Sequence, residues 1–331
     1  TNVSCNGGNN GTINVTATGG TGTITYQLQP GAISNATGAF GTLTAQTYTV
    51  KATDAVGCSV TTVLIITQPT ALSWSTVIKT NVLCNGGNTG TINATATGGT
   101  GIISYTLQPG TTTNTSGVFG SLTAQTYSIT ATDANGCSIT TAITITQPPL
   151  LVWNTTTSTN VNCNGGNDGT ITTTATGGAG TISYTLQPGA ITNTTGSFGS
   201  LTAQAYTVTA KDTNNCLITT TFNITQPSPL QITNITSTIP SCVPGNDATL
   251  TVTATGGTTT YQYSKGGPNQ ASNIFTSMGS GTYTITVTDA HGCTATSIFT
   301  ITTPNSPTIA TATKTNVSCN GGNNGTINVT A

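Results

Sequence analysis

Nine cysteines are the residues of this chain best suited to chemistry, and they fall in a fixed rhythm. Cys5, Cys84, Cys163, Cys242 and Cys319 follow one another at steps of 79, 79, 79 and 77 residues. Each of the first four is followed by a second cysteine, Cys58, Cys137, Cys216 and Cys293, after 53, 53, 53 and 51 residues. No Cys-x-x-Cys pair occurs, so the usual ligand spacing of a zinc site is missing. Thiols that recur two to a unit fit disulfides in an oxidising compartment. Four residues before each second cysteine stands an aspartate, Asp54, Asp133, Asp212 and Asp289. Calcium wants several oxygen ligands, yet each unit carries one or two Asp, so these carboxylates are expected to cap turn amides.

Little else could react. Acid–base catalysis needs convergent ionisable groups, and the single histidine, His291, stands where the other units have Val56, Asn135 and Asn214. It reads as a solvated turn residue. The Asn-Gly-Gly turns lack the following helix that a phosphate cradle requires. Asn-x-Ser/Thr triplets at Asn2, Asn10, Asn14, Asn93, Asn114, Asn193 and Asn223 arise readily in so Thr-rich a chain. The Thr-rich run Thr170–Ala175 could face ice or glycan, but an uncharged strand face explains it equally well. No catalytic, cofactor-binding or metal site is expected, and the chain reads as no enzyme.

Charge narrows the partners. Only 3% of residues are charged, with neither Glu nor Arg, and the net charge is -1. Such a surface has no electrostatic footprint for nucleic acid. No window of 18 or more apolar residues is available to span a bilayer, and no leader peptide is visible. Scarcity of Glu, Arg and Met argues against long helices, while abundant Thr, Val and Ile favour an ordered β protein.

The cysteine rhythm belongs to a repeat. Thr1–Ala17 (TNVSCNGGNNGTINVTA) returns unchanged as Thr315–Ala331, 314 residues later, with looser copies at Thr80 and Thr159 and a divergent one around Cys242. The chain therefore reads as one turn of a four-unit super-repeat and the start of the next, a window on a longer periodic protein. Units of this length can each close a small core. The second unit shows the plan: strand A over Thr70–Ile78, a Gly/Asn-rich connection holding Cys84, and strand B over Thr91–Thr97. Strand C carries Ile103, Tyr105 and Leu107 and ends at Pro109-Gly110. A short edge strand or loop then leads to strand E (Val118–Leu122), strand F with Tyr127, Ile129 and Ala131, an Asp-Ala-Asn-Gly hairpin, and strand G (Ile139–Ile145). Trp74, Trp153, Ile232 and Ile309 anchor strand A ten residues before a first cysteine. Seven short strands with frequent turns predict an immunoglobulin-like β-sandwich, and Leu122…Tyr127 with its equivalents predicts a tyrosine corner.

The expected divisions are residues 1–69 (a first repeat without the start of its first strand), 70–148, 149–227, 228–304 (divergent) and 305–331, the beginning of another repeat. They fall at Gln68-Pro69, Gln147-Pro148, Gln226-Pro227 and Thr303-Pro304. Short Pro-containing joins hold neighbours in extended geometry, so a tandem array set end to end as a rod is expected.

The pattern Cys-Asn-Gly-Gly-Asn-x-Gly-Thr-Ile, then Gly-Gly, an aromatic strand C, Leu…Tyr-x-Val/Ile and Thr-Asp-Ala-x-Gly-Cys resembles the SprB repeat of large cell-surface adhesins of gliding and related Bacteroidetes, along essentially the whole chain. What the resemblance implies is an exported filament or adhesin, extracellular and at the cell surface, tied to gliding motility. On that reading the chain is a structural shaft giving reach, stiffness and contact. Its partners are neighbouring repeats of the same long chain, with lateral copies of the filament and surface glycans as further candidates. A glycan-binding repeat module is the alternative, although aromatics are 5% of residues and mostly suit core positions.

Sandwich topology bears on the disulfides. In an Ig-like strand order the A–B cysteine lies at the far end of its domain and the F–G cysteine at the near end, too far apart for the ~7 Å that bridged Cα atoms allow. The F–G turn of one domain does lie beside the A–B turn of the domain before it. Bridges are therefore expected across the joins, Cys5–Cys137, Cys84–Cys216 and Cys163–Cys293, leaving Cys58, Cys242 and Cys319 to partners outside the window. Pairing within units remains the rival should strand A be placed differently.

Overall fold

Alternation of Thr with Val, Ile and Ala puts one set of side chains on each face of a strand, and short strands are what the computed structural model, which describes all 331 residues, is made of. In the first repeat these are β1 (Gly11–Asn14), β2 (Thr25–Gln29), β3 (Ile33–Asn35), β4 (Ala39–Leu43), β5 (Thr47–Thr53) and β6 (Ser59–Ile65). The second repeat opens with an additional strand, β7 (Ser73–Thr80), followed by β8 (Gly90–Thr97), β9 (Ser104–Gln108), β10 (Thr112–Asn114), β11 (Val118–Leu122), β12 (Thr126–Thr132) and β13 (Ser138–Thr144). Two antiparallel sheets result, in the orders β11-β8-β7 and β10-β9-β12-β13. These are the A-B-E and C′-C-F-G sheets of an Ig-like sandwich. The edge segment after Pro109 is a strand, β10, paired with β9.

Ile92, Ala94 and Phe119 from one sheet meet Tyr105, Leu107, Tyr127, Ile129 and Ala131 from the other, with Val82 and Ile145 closing the A–B end. Burying each large side chain contributes roughly 1.5–3 kcal/mol. Trp74 packs on Tyr105 with ring centroids 6.3 Å apart. The tyrosine corner is present in all four sandwiches. Tyr48, Tyr127 and Tyr206 donate to the carbonyl oxygens of Thr44, Thr123 and Thr202 at 3.2, 3.3 and 3.3 Å, and Tyr283 donates to that of Gly279 at 3.0 Å.

Strand A begins later than the sequence suggests, at Ser73 rather than Thr70. The carbonyl of Thr70 accepts from Gly99 N–H at 2.9 Å, so this residue serves the turn after strand B and not the ladder. The run Thr170–Ala175 does not form one uniform threonine face either. Thr173 is fully buried and donates to the carbonyl of Gly196 at 3.2 Å.

The third repeat has a sheet of Val152–Thr159, Gly169–Thr176 and Ser197–Leu201 and a second of Ile191–Asn193, Ser183–Gln187, Ala205–Lys211 and Leu217–Asn223. The fourth packs Leu250, Val252, Phe275 and Met278 against Tyr263, Ile285, Val287 and Ile301. Thr311–Thr315 and Thr326–Thr330 pair as a last hairpin. Ile309 is exposed, unlike the half-buried Trp74. By spatial contact the chain divides into two compact units. One is Thr1–Val152 with Thr176–Ile182 and Lys211–Leu217; the other is Trp153–Ala175 with Ser183–Ala210 and Ile218–Ala331. The first takes in the Cys216 turn of the third repeat because that turn packs on Leu83 and Cys84.

Candidate functional site

The site occurs three times, each built from an A–B loop in one sandwich and an F–G turn in the next. The F–G turn is shaped by one carboxylate. Asp133 Oδ1 accepts from the N–H groups of Asn135 and Cys137, each at 2.9 Å, and Oδ2 accepts from Thr100 N–H at 2.8 Å. The N–H of Asp133 donates to Cys137 O at 2.9 Å, closing the hairpin. Burial alone would raise the Asp133 pKa, but the N–H groups of Cys137, Thr100, Asn135 and Gly136 outweigh it and hold the carboxyl below its ordinary value. Asp289 has the same balance, with His291 adding a favourable charge. Around Asp54 the Thr21 N–H is the leading influence in the same direction. With three backbone donors satisfied, the carboxylate is committed to the turn.

The Gly-Gly turn after strand B must make room for this carboxylate. A Cβ on Gly99, at φ +65°, would stand 2.7 Å from Asp133 Oδ2. Behind it, a Cβ on Gly98 would lie 2.0 Å from the carbonyl oxygen of Ala71. Those two glycines are there for close approach.

The A–B loop is shaped by side-chain amides. Ser4 N–H donates to Asn10 Oδ1 at 2.9 Å and Gly8 N–H to Cys5 O at 3.0 Å, curling the chain around Cys5. Gly7 N–H then donates to Gln68 Oε1 at 2.7 Å, and Asn6 Nδ2 to Pro69 O at 3.0 Å. The Asn-Gly pair thus holds the Gln-Pro join of its own sandwich, a role that turn propensity does not reveal.

These two elements meet. Asn135 Nδ2 donates to Ser4 O at 3.0 Å, and Asn214 Nδ2 to Leu83 O at 2.8 Å. Beside these contacts the structure brings together Cys5 with Cys137, Cys84 with Cys216 and Cys163 with Cys293. Their S–S distances are 2.04, 2.00 and 2.00 Å and their Cα separations 5.6, 5.6 and 5.7 Å. Cys58, Cys242 and Cys319 are exposed and unpaired. His291 sits at the place of Asn135 and Asn214, exposed, its Nδ1 3.3 Å from Thr258 Oγ1.

Fold and joints together define a class, tandem Ig-like β-sandwiches with paired cysteines between neighbours. The SprB repeat model matches residues 1–33, 76–112, 155–191, 234–265 and 311–331. Those five segments are similar to SprB repeats. Each full match runs from the end of strand A to the residues after strand C, so strands E to G lie outside it, a narrower extent than the sequence resemblance suggests. No curated protein matches. Among solved structures, a Ca²⁺-stabilised adhesin of an Antarctic bacterium is 19% identical with a TM-score of 0.37, over 87% of this chain and 92% of that one. Sidekick-1 immunoglobulin domains 1–5 are 11% identical at 0.31, over 88% and 76%. The human desmocollin-1 ectodomain is 14% identical at 0.25, over 93% and 78%. These superpositions are loose, and the sandwich assignment stands on the strand pairings.

Proposed function

We propose that the chain is part of the shaft of an extracellular bacterial filament or giant surface adhesin, in which stapled Ig-like sandwiches give reach and stiffness. The domains are the five divisions read from the sequence, joined at the Pro-containing linkers. The observation that carries this reading is the repeated meeting of an F–G cysteine with the A–B cysteine of the preceding sandwich. A small interface between domains resists little tension unaided, whereas a covalent staple must break before the neighbours part. SprB repeats belong to surface proteins by the resemblance set out above, and disulfides persist outside the reducing cytosol.

Two measurements test the reading. Non-reducing peptide mapping is expected to yield Cys5–Cys137, Cys84–Cys216 and Cys163–Cys293 peptides, and a Cys84–Cys137 peptide would end the cross-join assignment. Strands of about 8–10 residues at ~3.3 Å each, with the turns at their ends, make a sandwich roughly 30–40 Å long. Images of the filament are therefore expected to show an axial repeat on the order of 120–160 Å per super-repeat. A repeat far below ~100 Å would exclude sandwiches set end to end.

A further inference from the structure

In each of the first three repeats four hydrogen bonds tie the A–B loop to the end of strand G and the linker behind it. In the first, Thr67 N–H donates to Asn2 Oδ1 at 3.0 Å and Val3 N–H to Thr67 O at 3.0 Å. Gly7 N–H donates to Gln68 Oε1 at 2.7 Å and Asn6 Nδ2 to Pro69 O at 3.0 Å. The second repeats them through Asn81, Val82, Gly86 and Asn85 at 3.1, 2.9, 2.7 and 3.0 Å. Asn160, Val161, Gly165 and Asn164 do so in the third at 2.9, 3.0, 2.7 and 3.0 Å. This clasp fixes the direction in which the linker leaves, and with it the start of the next sandwich.

The fourth repeat has lost at least one partner of every bond in the clasp. Ile239 and Val243 stand in place of the two asparagines and carry no side-chain amide. Pro240 and Pro244 replace the valine and glycine and have no N–H to give. Thr303 replaces the glutamine. Pro240 is still buried, as Val3, Val82 and Val161 are, so the apolar seat survives while the polar ties do not. Cys242 keeps its register with Cys84 and Cys163.

We infer that the joint after the fourth sandwich is a compliant one, while the three joints before it are held. It leaves a thiol for the staple but removes the clasp, so that neighbours there swivel without parting. The inference goes beyond the shaft role and would stand if the repeats served another surface function.

Hydrogen exchange on the intact oxidised chain tests it. Backbone amides of residues 302–308 are expected to exchange at least about tenfold faster than those of 67–73, 146–152 and 225–231, because local opening there breaks fewer bonds. Restoring the clasp with Ile239→Asn, Pro240→Val, Val243→Asn, Pro244→Gly and Thr303→Gln is expected to slow residues 302–308 to within about threefold of the others. As the converse, Asn81→Ala with Gln147→Ala is expected to speed residues 146–152 alone. Equal protection of the four linkers in the unaltered chain overturns the proposal. So does a folded restored variant that leaves residues 302–308 unchanged, or a converse variant that leaves 146–152 unchanged.

Discussion

At the scale of single residues, the F–G aspartate and the corner tyrosine do most of the local work. Asp54, Asp133 and Asp289 are held below the ordinary carboxyl value of 3.8 in the folded chain. A depressed folded pKa contributes stability that is present above the unfolded value and lost as pH falls through the folded one. Unfolding midpoints are therefore expected to stay level from neutral pH down to about 4 and to drop below it. A midpoint that rises on acidification contradicts the turn role. Asp289→Ala strands the N–H groups of Thr258, His291 and Cys293 and is expected to cost about 2–4 kcal/mol in urea unfolding. Tyr127→Phe removes a hydroxyl that donates to Thr123 O and accepts from Gln125 Nε2 at 2.9 Å; a loss of about 1 kcal/mol is expected. The Asp and Tyr roles were legible because each recurs at a fixed distance from a cysteine or a leucine. The work of Asn6, Gly7 and Gln68 was not, since their bonds join residues 61 to 63 apart and leave no local pattern.

At the scale of strands, two-residue alternation set nearly every element, and the edges went astray where a backbone group bonds outside the ladder. Thr70 is the case in point: its residue type suits a strand, but its carbonyl is taken by Gly99. The bulges were equally hidden. Between Phe119 and Leu122 the β11–β8 register shifts, and Ser121 adopts φ +57°. Just before it, Gly117 sits at φ +69°, and a Cβ there would lie 1.9 Å from the carbonyl oxygen of Ala94. That contact is with backbone in the middle of β8, so no side-chain rotation relieves it. Gly117→Ala is expected to destabilise the second sandwich by more than ~3 kcal/mol, well above the ~0.5 kcal/mol within which surface changes usually stay. The control is Gly120→Ala, where a Cβ meets nothing within 4 Å. Equal melting temperatures for the two variants would refute the steric account.

At the scale of the whole molecule, period and charge were read directly, and the cysteine connectivity was read from the Ig-like strand order within each period. With 3% of residues charged there are few ion pairs for salt to screen. Melting temperatures are expected to move by no more than a degree or two between low and high ionic strength, a result that calorimetry can contradict. The cysteine pairs reach further. Each spans 130 to 132 residues while the repeat steps by 79 at most, so successive staples overlap. A pull on the oxidised chain can then follow Cys5 to Cys137 through sulfur, the backbone from Cys137 to Cys163, and sulfur again to Cys293. Only 26 residues of that route are free to extend, about 90 Å at full stretch. They comprise β13, Gln147-Pro148 and the strand Val152–Thr159, so force reaches two edge strands and the linker between them while the remaining residues between Cys5 and Cys293 are bypassed. After reduction the backbone between Cys5 and Cys293 offers 288 residues, on the order of 1,000 Å. Force–extension traces with handles at the two ends are expected to show roughly a tenfold gain in releasable length between Cys5 and Cys293 when reductant is added. Oxidised traces that instead release one sandwich after another, each adding on the order of 250 Å, would mean that the staples do not carry the load.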